Sequence, residues 1–178
     1  MITIALAAGT PAKACPVQPE PAALGSAAFP IPSHGQALLF SAAPSFQSVR
    51  YALRVYRRDA AGRGVAVLVR LKRRPDCNVH DRAGEWKFAL SLRETRSLFS
   101  TAGDLERRSN KDAEIVLDGT SVELRHYVGG KLIFSDDSNG LAKEQLSRTV
   151  LNLLARHVPA KELPLSGDWR YKLSGTRI

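Results

Sequence analysis

The chain has 178 residues, is 44% hydrophobic and carries a formal net charge of +9. Its length fits one domain with one sizeable core, and no apolar run is long enough to cross a bilayer as a helix. The charge is uneven: residues 1–48 contain only Lys13 and Glu20, which cancel, so the whole excess falls on residues 49–178.

The chain begins with a short uncharged apolar run, Ile2 to Ala8, followed by Ala12-Lys13-Ala14 ahead of Cys15. Small residues at the first and third of these positions match the cleavage pattern of an exported protein. Residues 1–14 therefore read as the remnant of a signal peptide, and the expected location is periplasmic or secreted. The two cysteines, Cys15 and Cys77, form an even count that an oxidising compartment would close into a disulfide. Residues 15–45 have prolines at 16, 19, 21, 30, 32 and 44 and read as an extended arm or linker. The single domain is then expected over residues 46–178.

Within the domain, Val49, Tyr51, Leu53 and Val55 alternate with Arg50, Arg54 and Arg58, the period of a half-buried strand. After a turn at residues 59–64, Val65, Val67, Val69 and Leu71 alternate with Arg70, Lys72 and Arg74. The two runs read as an antiparallel hairpin. Matching the two apolar faces allows a register that sets Arg54 opposite Arg70 and Arg50 opposite Arg74, or the neighbouring one that sets Arg50 opposite Lys72. Trp86, Phe88 and Leu90 give a third strand with an inward face.

Ser91 and Glu94 have the spacing of a capping box, which predicts a helix from about Leu92 to Ala102 with Gly103 as its stop. Residues 113–117 read as a strand. Residues 121–128 and 131–135 read as a second hairpin turned by Gly129-Gly130. The segment 136–140 then caps the most strongly amphipathic helix, whose buried face is Leu141, Leu146, Val150, Leu153, Leu154 and His157, ended by Pro159. Trp169, Tyr171 and Leu173 alternate as a last edge strand. The sum is an α+β fold: an antiparallel sheet of five or six strands, with a long C-terminal helix and a shorter helix on one face.

Few residues point to catalysis. Cys77 and His80 have half the spacing of a zinc site and no second half. Cys77 as a thiol nucleophile would make the chain a small hydrolase. His34, His80, His126 and His157 are scattered, and Asp136, Asp137 and Asn139 cap a helix rather than bind calcium. No phosphate loop, dinucleotide fingerprint or serine-hydrolase elbow occurs. The expectation is a domain without catalytic residues, metal or cofactor. Its predicted binding surface is the hairpin face of Arg50, Arg54, Tyr56, Arg58, Arg70, Lys72 and Arg74. Like charges held opposite each other invite an acidic ligand, here an acidic protein or envelope component. A cytosolic nucleic-acid binder using the same face, and the Cys77 hydrolase, are the competing readings.

Overall fold

A computed structural model describes residues 33–44, 49–57, 62–74, 80–108, 120–137 and 142–163 of the chain. Six strands form one antiparallel sheet: β1 (Gln36–Pro44), β2 (Val49–Arg57), β3 (Gly64–Arg73), β4 (His80–Ala89), β5 (Thr120–Val128) and β6 (Lys131–Asp136). Their order across the sheet is β4-β3-β2-β1-β5-β6. Helix α1 (Leu92–Arg108) joins β4 to β5, and α2 (Ala142–His157) follows β6, with a 3-10 turn at Ala160–Glu162. The expected α+β class is observed.

Strand β1 is the largest departure from expectation. Residues 36–44 were assigned to the arm, yet they form a central strand paired on both sides, with β2 and with β5. The reason is burial on both faces. Ala37, Leu38, Leu39 and Phe40 are all at most 6% exposed. A strand covered on both faces shows a continuous apolar run, not alternation. The domain therefore starts ahead of the expected boundary at residue 46.

One sheet face carries Leu38, Phe40, Tyr51, Leu53, Val55, Ala66, Leu68, Val122 and Leu124. These join Leu98, Phe99, Ala102 and Leu105 of α1 and Leu146, Val150, Leu153 and Leu154 of α2 in one core. Of the expected core positions of this helix, Leu146, Val150, Leu153 and Leu154 are buried, His157 is half-buried, and Leu141 lies outside the described residues. Helix α1 does not stop at Gly103 but continues to Arg108. Its route explains why: after β4, the chain must cross four strand spacings to reach β5, about 19 Å. Seventeen residues of helix span about 26 Å. The interior glycine costs about 1 kcal/mol relative to alanine, which burial of Ala102 and Leu105 on either side offsets.

The start of α1 is held as the sequence predicted. The Glu94 backbone N–H donates to Ser91 Oγ at 3.2 Å, and Glu94 Oε2 accepts from the Ser91 N–H and hydroxyl, both at 2.8 Å. The other Glu94 oxygen reaches His157 Nε2 at the end of α2, 3.1 Å away. The His157 ring stacks on Phe88 of β4 with centroids 4.5 Å apart. Burial pushes the Glu94 carboxyl up, but the Ser91 bonds and His157 outweigh it and hold the carboxyl below its ordinary range. One side chain thus caps α1 and ties α1, α2 and β4 together. Near the same end, the Gly64 N–H donates to Thr95 Oγ1 at 2.9 Å, so β3 and α1 approach closely there.

The expected strand at 113–117, the edge strand at 169–173, the cysteines and the signal-like start all lie outside the described residues. Gly129 and Gly130 both take positive φ, +56° and +81°. That is the backbone a two-residue hairpin turn needs and that glycine adopts without strain.

Candidate functional site

The hairpin register overturns the expected basic face. In the β2–β3 pair, Arg54 lies opposite Val67, Arg50 opposite Leu71, Tyr51 opposite Arg70 and Val49 opposite Lys72. The observed register is three residues from the one that pairs Arg54 with Arg70 and one residue from the one that pairs Arg50 with Lys72, and an odd displacement sends the strand's side chains to the other face. Arg50, Arg54 and Tyr56 are on the helix-free face. Arg70 and Lys72 are on the helix side. Arg58 lies outside the described residues.

The physical cause is that β3 is apolar on both faces. Ala66 and Leu68 are fully buried toward the helices, and Val67, Val69 and Leu71 are at most 7% exposed on the other side. Valine periodicity alone cannot select between the two faces. Helix α1 selects: Gly64 is on the helix side, and a Cβ there would meet Thr95 Oγ1 at 2.9 Å and the Tyr56 carbonyl oxygen at 3.2 Å. Only the face beginning with glycine lets α1 dock this close.

Each member of the predicted face then has its own setting. Arg54 is 3% exposed and donates to the Tyr56 hydroxyl at 2.9 Å. Burial raises the Tyr56 pKa, with Arg54 pulling against it. Across the helix-free face, the register aligns Lys87, Val67, Arg54, Leu39 and Arg125 in one row. Arg125 is bound to Glu123 at 2.5 Å. Arg70 forms an ion pair with Glu162 of the 3-10 turn and sits 5.9 Å from the Trp86 ring centroid.

A different cluster survives at the open end of the hairpin, where β2 starts, β3 ends and β4 starts. Arg50, Lys72 and Arg74 gather there from the predicted set. The register adds Arg73, opposite His80, and Arg82, opposite Leu71. Lys72, Arg73, Arg74 and Arg82 are exposed and Arg50 is half-buried. Among the described residues, two acids sit with them, Asp81 and Glu85, held by Arg74 and Arg82. Arg74 Nε and Nη2 bind the two Asp81 oxygens at 2.5 and 3.0 Å, and this hydrogen bonding holds the Asp81 pKa below its ordinary value. Arg82 binds Glu85 at 2.5 Å. Asp81 lies opposite Lys72 in the ladder, but Arg74 holds its carboxylate, and among the described residues neither Lys72 nor Arg73 forms an ion pair. Among the described residues, five cations and two acids gather at this sheet end, with Arg50 and Arg82 on the helix-free face and Lys72 on the helix side.

Reading the sequence missed Arg73 and Arg82. Arg73 follows from the tribasic run at 72–74. Arg82 depends on the irregularity between Arg70 and Leu71 in the β3–β4 ladder, which a sequence pattern does not reveal.

Among the described residues, no group of three or more His, Cys, Asp or Glu side chains is placed to hold a metal. No described helix is long and apolar enough to cross a membrane. Among the described residues the most buried histidine is His126, whose ring nitrogens make no hydrogen bond to any described residue. Its Nδ1 is 3.6 Å from Glu106, and Phe99 packs edge-on against its ring. Burial lowers its pKa, against the pull of Glu106. Comparison with protein-family models, curated proteins and solved structures finds no match for this chain.

Proposed function

We propose that this chain is an exported, non-enzymatic binding domain that engages an acidic protein or envelope component through the basic end of its sheet. The observation that carries this reading is the exposure of Lys72 and Arg73, without acid partners among the described residues, beside Arg50, Arg74 and Arg82. Fixed on paired strands, these cations keep their spacing without a large entropy loss on binding. Carboxylate or phosphate groups would accept charge-assisted hydrogen bonds from them. Export rests on the Ala12-Lys13-Ala14 pattern and on the even cysteine count.

The partner class is tested by titrating the full chain against poly-L-glutamate and against a single-stranded oligonucleotide of matched charge. Polyglutamate should bind and weaken as salt rises, because exposed charges are screened within about 8–10 Å at physiological ionic strength. Lys72→Glu with Arg73→Glu should abolish that binding. Tighter binding to the oligonucleotide at every salt concentration would transfer the assignment to nucleic acid. Export is tested by sequencing the N-terminus of protein purified from its own host: cleavage after Ala14 is the expected result.

A further inference from the structure

The two edges of the sheet are built differently. Strand β4 carries Asp81, Arg82, Glu85 and Lys87 along its length, the charged pattern by which edge strands avoid pairing with other chains. Strand β6 reads Lys-Leu-Ile-Phe-Ser-Asp, with its charges at the ends only. Leu132 is 51% exposed, Ile133 49% and Val128, on the adjoining strand, 38%. These are three of the four large hydrophobic residues exposed among the described residues, and all belong to one hairpin. Among the described residues, no strand lies beyond β6.

We propose that β6 is the dimer interface of this protein, pairing antiparallel with β6 of a second copy to make one continuous sheet. The sequence of β6 is complementary to itself in that arrangement. With the two-fold axis between Ile133 and Phe134, Lys131 faces Asp136 of the second copy at both ends of the contact. Leu132 lies opposite Ser135, and Ile133 opposite Phe134. The exposed apolar pair is then covered at the centre, flanked by two ion pairs. Opposite charges across paired strands stabilise the pairing, and like charges oppose it. Both Lys131 and Asp136 fall on the helix side of the sheet, opposite Val128 and Leu124 of β5, so the two ion pairs share one face. The irregularity of the β5–β6 ladder at Ile133 adds local twist to the edge. Because the other edge is charged, two-fold pairing uses the one apolar edge and closes at two copies instead of growing into a filament.

The test is sedimentation equilibrium of the full chain, with circular dichroism to confirm that each variant is folded. Wild type should sediment at twice the 19.4 kDa chain mass. Lys131→Asp places four carboxylates at the contact and Asp136→Lys places four ammonium groups, so each variant alone should be monomeric. Mixed in equal amounts, the two should form a heterodimer, because the charges then match at both ends. Ile133→Lys should be monomeric and should not be rescued by either. A monomeric wild type at about 100 μM, well above the Kd range of specific dimers, would overturn the proposal. So would charge variants that remain dimeric alone, or a mixture that does not associate.

Discussion

Replacing Glu94 with alanine removes more than a helix cap. The carboxylate accepts two hydrogen bonds from Ser91 and meets His157 and, at 3.5 Å, Arg156 of α2, and its side chain is 10% exposed. Ser91 is exposed, so water replaces much of what it loses, and the cap is worth about 1 kcal/mol. The His157 contact is shielded and involves a charged acceptor, worth about 1.5–2 kcal/mol when lost. The total is about 2.5–3 kcal/mol. Ser91→Ala removes only the cap and should cost about 1 kcal/mol, so the difference between the variants isolates the α1–α2 tie. Urea denaturation followed by circular dichroism measures both. With a slope of about 1–3 kcal/mol per molar, Glu94→Ala should move the midpoint down by about 1–3 M. The sign of the pH effect follows from the depressed carboxyl pKa. The stabilisation is complete above the unfolded value of about 4.3 and is lost as pH falls through the lower folded value. Glu94→Gln should therefore flatten the stability profile below about pH 5. If Glu94→Ala and Ser91→Ala cost the same, the helices are not joined through His157 and the reasoning is wrong.

His126 adds an acid sensitivity of the same sign in a higher pH window. Burial lowers its pKa, so the unfolded chain binds a proton first and stability falls as pH drops below about 6.5. His126→Leu should shrink the stability difference between pH 8 and pH 5, read by thermal melts at both values; an unchanged difference would mean that His126 is solvated. Gly64→Ala places a Cβ 2.9 Å from Thr95 Oγ1 and 3.2 Å from a backbone carbonyl. It should destabilise by about 1–3 kcal/mol, as overpacking does, and a stabilised variant would show that α1 sits farther from β3.

The helix that packs against solvent on one side was legible in the sequence, because a single buried stripe leaves a clear period. The face of Leu146, Val150, Leu153 and Leu154 is buried as its spacing requires. The Ser91–Glu94 cap was legible for a similar reason, since both partners lie within one turn. The sheet interior was not. Strands β1 and β3 are buried on both faces, so their patterns carry no phase, and β1 was lost in the proline-rich arm while β3 was turned over. That error propagated to the site. Arg50, Lys72 and Arg74 remain near one another because they lie at the ends of their strands. Arg54 and Arg70, in the strand interiors, are separated by the sheet itself. The signal that fixes the register is Gly64, whose missing side chain admits Thr95 of a helix distant in sequence. No local pattern contains that contact.

The central claim is that positive charge acts at one place, the open end of the hairpin, and not through the net charge of the chain. The most direct measurement compares two double reversals of equal charge on a polyglutamate column developed with a salt gradient. Lys72→Glu with Arg73→Glu alters the proposed site, and Arg93→Glu with Arg96→Glu alters exposed positions on α1. Each pair lowers the formal charge from +9 by four units. The first variant should elute near the void while the second stays close to wild type. Equal elution of the two variants would contradict it, since binding would then follow total charge and the sheet end would be an ordinary solvated surface.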